Sequence, residues 1–221
     1  MRGKDLIAAT LFGGAGGSSG GGGAGGEKSP LDALIEKTIT EVDSDAETVG
    51  MYAFYECRSL TKARFSKATT MNYMLTFGNC KALREVAFLR VTRFENTSNN
   101  TKNSFNGCSE LRIVDCHALQ YIGNHTFATA YNIIALILRS ETLCQLSNVN
   151  GIHDGYRLRG EYNQYVNPEG LHDGYVYVPA DLVDEYKAAT NWSAVEGLQF
   201  RALEDYTVDG TITGELDESK I

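Results

Sequence analysis

The chain has 221 residues, 43% of them apolar, which is enough for one domain of moderate size with further segments at its ends. Twenty-eight acidic residues against 20 basic ones give a net charge of −8, and no Lys/Arg cluster interrupts that balance. Duplex nucleic acid and anionic membrane surfaces select for a basic footprint, so neither is expected as a partner.

Residues 1–12 come first. Arg2 and Lys4 precede the apolar run Leu6-Ile7-Ala8-Ala9-Thr10-Leu11-Phe12, an order that mimics a signal peptide. Against that, Asp5 abuts the run, the run is at the minimum length for such a signal, and no clean Ala-x-Ala cleavage site follows. It is far too short to span a bilayer. The sharper expectation is an attachment peptide whose Leu6, Ile7, Leu11 and Phe12 dock on a neighbouring subunit. Residues 13–28 follow, and Gly13 to Gly26 contains nothing but Gly, Ala and Ser. This reads either as a flexible linker or as a tract packed closely against other chains, as Gly permits.

Residues 29–148 repeat one template, Phe-x-x-Cys-x-x-Leu-x-x-(Ala/Val)-x-(Phe/Cys). Its copies are Phe54, Cys57, Leu60, Ala63 and Phe65; Phe77, Cys80, Leu83, Val86 and Phe88; and Phe105, Cys108, Leu111, Val114 and Cys116. A fourth runs Phe127, Ala130, Ile133, Leu136 and Leu138, and a half copy at Ile39 and Val42 opens the series. Each copy is followed by a second apolar pair, Ala68 and Met71, Val91 and Phe94, Leu119 and Ile122; Leu143 and Leu146 close the series, displaced by two residues. The polar run Glu95 to Asn103 is a local insertion. The Val-x-Phe alternation predicts a short strand and the Phe-x-x-Cys step a turn or helical bend. So small a unit cannot bury its own apolar face, and neighbouring units must stack around a shared core.

Three of the five cysteines, Cys57, Cys80 and Cys108, occupy one template position. Stacking sets them about 5 Å apart. That separation is within reach of a disulfide, while a crowded turn calls for a small apolar side chain; free buried thiols are the favoured reading.

The motif Ala53-Phe54-x-x-Cys57-x-x-Leu60, recurring in register from Ile39 to Asn148, resembles the BspA-like leucine-rich repeats of bacterial surface proteins and prophage-encoded proteins. Departures are Asn72-Tyr73-Met74-Leu75-Thr76 before the second Phe, and Ala130 in place of Cys. The apolar start, Gly tract and repeats together resemble prophage structural and tail-fibre proteins. The segment Tyr175 to Pro179 followed by Asp181 to Trp192 looks like a module that closes such arrays.

Residues 149–174 are an irregular excursion that the repeat does not explain. It holds His153-Asp154-Gly155-Tyr156 and His172-Asp173-Gly174-Tyr175, with Tyr162 and Tyr165 between them. Asp-Gly signals turns, because Gly accepts a positive φ. The competing reading is a ligand or metal surface built from the His-Asp pairs and the tyrosines. In residues 175–207, Tyr175 to Val178 alternates as a strand, Pro179 stops it, and Leu182, Tyr186 and Ala189 stripe a helix from about Asp181. Residues 208–221 read as a hairpin at Val208 to Ile212 and an acidic tail.

No Gly-x-Ser-x-Gly, His-Glu-x-x-His or Cys-x-x-Cys motif is present, and the four histidines are scattered. The expected fold is therefore an α+β repeat solenoid, a leucine-rich-repeat-like stack of short strands and turns with a C-terminal strand-helix capping module. The expected function is a non-enzymatic binding or adhesion module without cofactor or metal. Its partners would be a protein or host-surface glycan, neighbouring virion subunits through the N-terminus, and further copies of the chain in a homo-oligomer. The resemblance places it in a phage or prophage virion or, alternatively, on the bacterial cell surface as a BspA-like adhesin or interaction protein. In the array, Arg58, Lys62, Arg64, Lys81, Arg84, Arg90 and Arg112 are the candidate contacts.

Overall fold

A computed structural model of the chain describes residues 37–71, 74–95, 103–152, 154–161, 167, 169–208 and 211–212. The attachment residues Leu6, Ile7, Leu11 and Phe12, the Gly-rich tract, most of the Glu95–Asn103 insertion and the acidic tail lie outside these.

Each repeat contributes a four-residue strand and, after a bend, a two-residue strand. In chain order these are β1 (Glu41–Ser44) and β2 (Thr48–Val49), β3 (Lys62–Phe65) and β4 (Thr70–Met71), β5 (Glu85–Phe88) and β6 (Arg93–Phe94), β7 (Ile113–Cys116) and β8 (Tyr121–Ile122), and β9 (Ala135–Leu138) and β10 (Gln145–Leu146). Helix α1 (Tyr156–Arg159), β11 (Tyr175–Val178), α2 (Val183–Ala188), β12 (Phe200–Ala202) and the antiparallel pair β13 (Thr207–Val208) and β14 (Thr211–Ile212) follow. The long strands form one sheet, ordered β1-β3-β5-β7-β9-β11-β12, in which every pairing is parallel. Val42, Ala63, Val86, Val114 and Leu136 stand side by side in register, as the template alignment requires. The short strands make the second edge of the stack, with Phe94, Ile122 and Leu146 in register.

The repeat pattern ends near Asn148, but the sheet does not. Strand β11 pairs with β9, and β12 pairs with β11, so the segment beyond the excursion adds two strands to the same sheet. Tyr186 of α2 and Trp192 are buried against the main core. Tyr186 Oη accepts from the Cys144 amide at 2.8 Å, and Trp192 Nε1 donates to the Cys144 carbonyl at 2.6 Å. The Cys144 carbonyl is the equivalent of that of Gln120, which in the array accepts the Gln145 amide of the next rung, so Trp192 stands where a further amide would. The predicted helix begins as a single 3-10 turn, Ala180–Leu182, and α2 proper ends at Ala188, four residues before Trp192.

The core is organised in files. Phe54, Phe77, Phe105 and Phe127 stack face to face, with successive centroids 5.1, 5.4 and 5.4 Å apart and planes within 18° of parallel. A second file pairs Phe65 with Phe88 at 5.4 Å, set edge-on to the first. Such pairs add about 0.5–1.5 kcal/mol each beyond the area they bury.

The Phe-x-x-Cys step is a turn. Its residue before the Cys position has positive φ in every copy: Glu56 (61°), Asn79 (61°), Gly107 (75°) and Thr129 (61°). Left-handed backbone costs a residue with a Cβ about 1–2 kcal/mol, and the gain that offsets it is geometric. Turned this way, the Glu56 amide donates to the Gly78 carbonyl at 2.7 Å and that of Asn79 to the Asn106 carbonyl at 2.8 Å. The Gly107 amide donates to Thr129 Oγ1 at 2.6 Å. A hydrogen-bonded ladder thus runs along the turns as well as along the strands.

All five cysteines are buried and free. The Cys80 thiol donates to the Phe54 carbonyl at 2.9 Å and the Cys108 thiol to the Phe77 carbonyl at 3.0 Å, so each satisfies a backbone acceptor of the preceding rung. The template position selects a small apolar side chain that carries a weak donor. Ala130, on the fourth copy, supplies the size without the donor.

Candidate binding surface

Alternation along the long strands sends one residue set into the core and the other to an open face. On that face, Lys62 pairs with Glu85 across β3 and β5 at 3.0 Å, beside Glu41, Asp43 and Arg64. Toward β12 the same rows turn apolar and aromatic: Ile113, Ala135, Ile137, Tyr175 and Tyr177. Over this half, Tyr206 and Leu203 pack against Ala135, Ile137 and Tyr177 in a second cluster separate from the main core. Strand β9 consequently departs from alternation, all four of its residues being buried. The face is charged at one end and aromatic at the other.

At the aromatic end, the Arg201 guanidinium lies 3.6 Å from the centroid of the Tyr175 ring, and the His172 ring runs parallel to that ring at 6.5 Å. Gln199 Nε2 is 3.5 Å from His172 Nδ1, and Tyr177 meets Tyr206 edge-on at 4.9 Å. A cation over an aromatic face, flanked by amide and imidazole, suits recognition by stacking and hydrogen bonding.

The candidate residues of the excursion divide into two groups. Asp154 completes the array: its Oδ2 accepts from the Thr129 amide at 2.8 Å, taking the place that a next turn would fill in the ladder. Tyr156, opening α1, packs its ring 5.5 Å from that of Tyr131. Burial, with Asp154 and Tyr156 nearby, pushes the Tyr131 hydroxyl above its ordinary pKa. Asp173 faces the other way, held by Arg157 of α1 through Nε at 2.9 Å to Oδ1 and through Nη2 to Oδ2. Burial raises the Asp173 carboxyl, but the hydrogen bonds and charge of Arg157 more than offset it and hold the group below the usual carboxylate value. His172 and Tyr175 join the aromatic end of the open face; His153, Tyr162 and Tyr165 lie outside the described residues.

Both aspartates are therefore engaged by protein groups. Among the described residues, no group of three or more His, Cys, Asp or Glu is arranged to hold a metal ion. The Asp-Gly steps also differ from expectation, because neither Gly155 nor Gly174 has positive φ. Close approach explains Gly174 instead: a Cβ there would meet the Arg157 carbonyl and the Leu158 amide of α1 at 2.9 Å. Replacing Asp154 by Ala leaves a backbone donor of the last turn without its charged acceptor. A loss of about 1.5–3 kcal/mol is expected, read as a lower thermal midpoint with an unchanged fold.

Sequence reasoning missed Arg201, Gln199 and Tyr206, which lie beyond the repeat. The signal for Arg201 was its place in a Phe-Arg-Ala alternation, legible as a strand once β11 was assigned. Of the seven basic residues proposed as contacts, Arg64 alone is drawn partly inward, while the other six are exposed.

The pattern described as BspA type leucine-rich repeat region, in six copies, matches residues 35–148. Among curated proteins, none matches. A solved structure that resembles the chain is a leucine-rich repeat protein from Bacteroides ovatus, with 16% identity and a TM-score of 0.42, the match covering 73% of this chain and 41% of that one. The chain thus spans less than half the length of that protein. Among the described residues, no helix is long and apolar enough to cross a membrane.

Proposed function

The chain belongs to the BspA-type leucine-rich repeat family, and on that premise we propose that it is a non-enzymatic protein-interaction module of a bacterial cell surface that binds through the open face of its main sheet. The observation that carries this reading is the outer side of the seven-stranded sheet, charged over β1 to β5 and bearing the Tyr175–Arg201–His172 cluster at its far end, with Ala135, Ile137 and Tyr177 covered by Leu203 and Tyr206. Surfaces of stacked units distribute affinity over several rungs, and the Tyr175–Arg201–His172 cluster supplies the anchor residues that recognition sites favour. Residues 175–207 serve as the terminal module, since Tyr186 and Trp192 take up backbone groups at the end of the repeats. A virion role would rest on the N-terminal segment, which lies outside the described residues, and the family match supports the cell-surface alternative instead.

The test is retention of a protein from host-cell surface extract on the immobilised chain, with and without protease treatment of the extract. Arg201→Glu on the open face is expected to abolish retention, and Lys187→Glu on α2, which packs on the core side, to leave it intact. Retention that survives protease, or that is lost with Lys187→Glu and not with Arg201→Glu, would overturn the proposal.

A further inference from the structure

The charged end of the open face holds an arginine with an unusual environment. Asp115 of β7 is bound by Arg139, which follows β9, through Nε to Oδ1 at 2.8 Å and Nη2 to Oδ2 at 3.0 Å. This is the side-on fork that matches a planar carboxylate. Two strands away in the same row, across the small side chain of Ala87, stands Arg64. Its Nε and Nη2, the same edge of the guanidinium, are both withdrawn from solvent, and among the described residues nothing accepts from either. Its register neighbour Asp43 is exposed and makes no ion pair with it. His117 Nε2 is buried beside the cluster, 3.7 Å from Asp115 Oδ1 and likewise without a hydrogen-bond acceptor or donor among the described residues.

Leaving charged donors desolvated and unmatched is costly. Where such donors form a fork, the missing complement is a group with two coplanar acceptor oxygens. Charge selects further. Arg64 and Arg139 carry two positive charges, Asp115 one negative, and burial keeps His117 below its ordinary pKa, with Arg139 and Arg64 adding to that against the opposing pull of Asp115. The cluster is thus short of one negative charge. A monoanionic carboxylate balances it, and a dianionic phosphate overshoots it next to Asp115.

We propose that Arg64, backed by His117 and the Asp115–Arg139 pair, forms a carboxylate-binding site on the open face, the half-buried side chain turning its fork outward to take an acidic side chain of a protein partner. The identity of the occupant rests on the interaction reading above; the affinity for a carboxylate does not.

The experiment titrates the full chain with N-acetylglutamate while following the His117 ring by NMR. Saturable displacement of its resonances is expected, together with an upward shift of its protonation midpoint, since a bound anion favours the imidazolium. Arg64→Gln should weaken the saturation about tenfold or more, and Arg64→Lys should recover part of it, keeping the charge without the fork. Ala87→Glu, which supplies a carboxylate from the strand between, should raise the thermal midpoint and block the free probe. A flat His117 response in the wild type, or equal saturation in Arg64→Gln, would sink the proposal. The probe is a free amino-acid derivative, so either result leaves the extract experiment to judge the wider surface on its own.

Discussion

Phe105→Ala is expected to lower the unfolding free energy by about 3–5 kcal/mol, the range for removing a fully buried aromatic side chain. Phe105 has no exposed surface and stacks at 5.4 Å on both Phe77 and Phe127. Its edge also meets Phe88 and Phe94, at 6.4 and 6.0 Å. Truncation therefore opens a gap in the middle of a file, and the hydrogen-bonded ladders on both flanks restrain the backbone from closing it. Phe54→Ala should cost less, because the described ring stacks on Phe54 from one side only, that of Phe77. In a stack whose units contact only their neighbours, a weak interface in the middle also divides the array. Chemical denaturation should show a lower midpoint for Phe105→Ala and a broader transition than for Phe54→Ala. An unchanged midpoint for Phe105→Ala would contradict the register on which the fold is built.

Alkaline pH should unfold the protein well before its peptide bonds or arginines are affected. Burial pushes the Cys57 thiol from its ordinary value of 9.0 up to about 11, and those of Cys108 and Cys144 to about 12. Cys80 moves further in the same direction and Cys116 is raised as well, for the same first reason, with neighbouring thiols adding in both and Asp115 in the second. A thiol whose folded pKa lies above its unfolded one is neutral in the folded chain at a pH where the unfolded chain has already released the proton. Its contribution is fully present below about pH 9 and is lost as pH rises through the folded value. At pH 11 each such thiol has withdrawn roughly 2–3 kcal/mol, and five together are comparable to the about 5–15 kcal/mol that a domain holds in reserve. Buried Tyr186, also raised by desolvation, acts the same way at higher pH. Circular dichroism under reducing conditions should therefore show cooperative unfolding between about pH 9 and pH 11. Retention of native signal to pH 12, or thiols that react with Ellman's reagent in the native chain at pH 8, would refute it.

The array was legible because its signal is redundant. Four phenylalanines in register, each followed by Leu-x-x-Val-x-Phe or a close variant, fix the strands and the inward set at once, and β3, β5, β7 and β9 fall where that alternation put them. The left-handed turn residues were not legible, since Glu56 and Thr129 are ordinary choices for other conformations and reveal the position only beside Asn79 and Gly107. Strands β11 and β12 share no template with the repeats, because Tyr186, Trp192 and Phe200 pack there in place of the phenylalanine files. For the surface, sequence pattern offered His172, Tyr175 and Asp154 alike, under a turn reading and a competing ligand-surface reading; the structure sets the first two beside Arg201, while Asp154 accepts the Thr129 amide. Composition cannot tell a carboxylate that awaits a ligand from one that already accepts an amide. The orphaned fork of Arg64 was equally hidden, since it depends on the small side chain of Ala87 one strand away.

The ladder along the turns has a consequence for how such a chain changes length. The amide-to-carbonyl bonds from Glu56 to Gly78 and from Asn79 to Asn106 join the same pair of positions in successive units and make no use of side chains. Duplicating or excising one whole unit therefore reconnects the same backbone groups and leaves both ends as they were. Length added within one unit is taken up outside the turn: the copies led by Phe77 and Phe105 lie 28 residues apart, against 23 and 22 for the others, and the Asn79 amide still reaches the Asn106 carbonyl. The array can thus be lengthened or shortened by whole units without breaking this ladder.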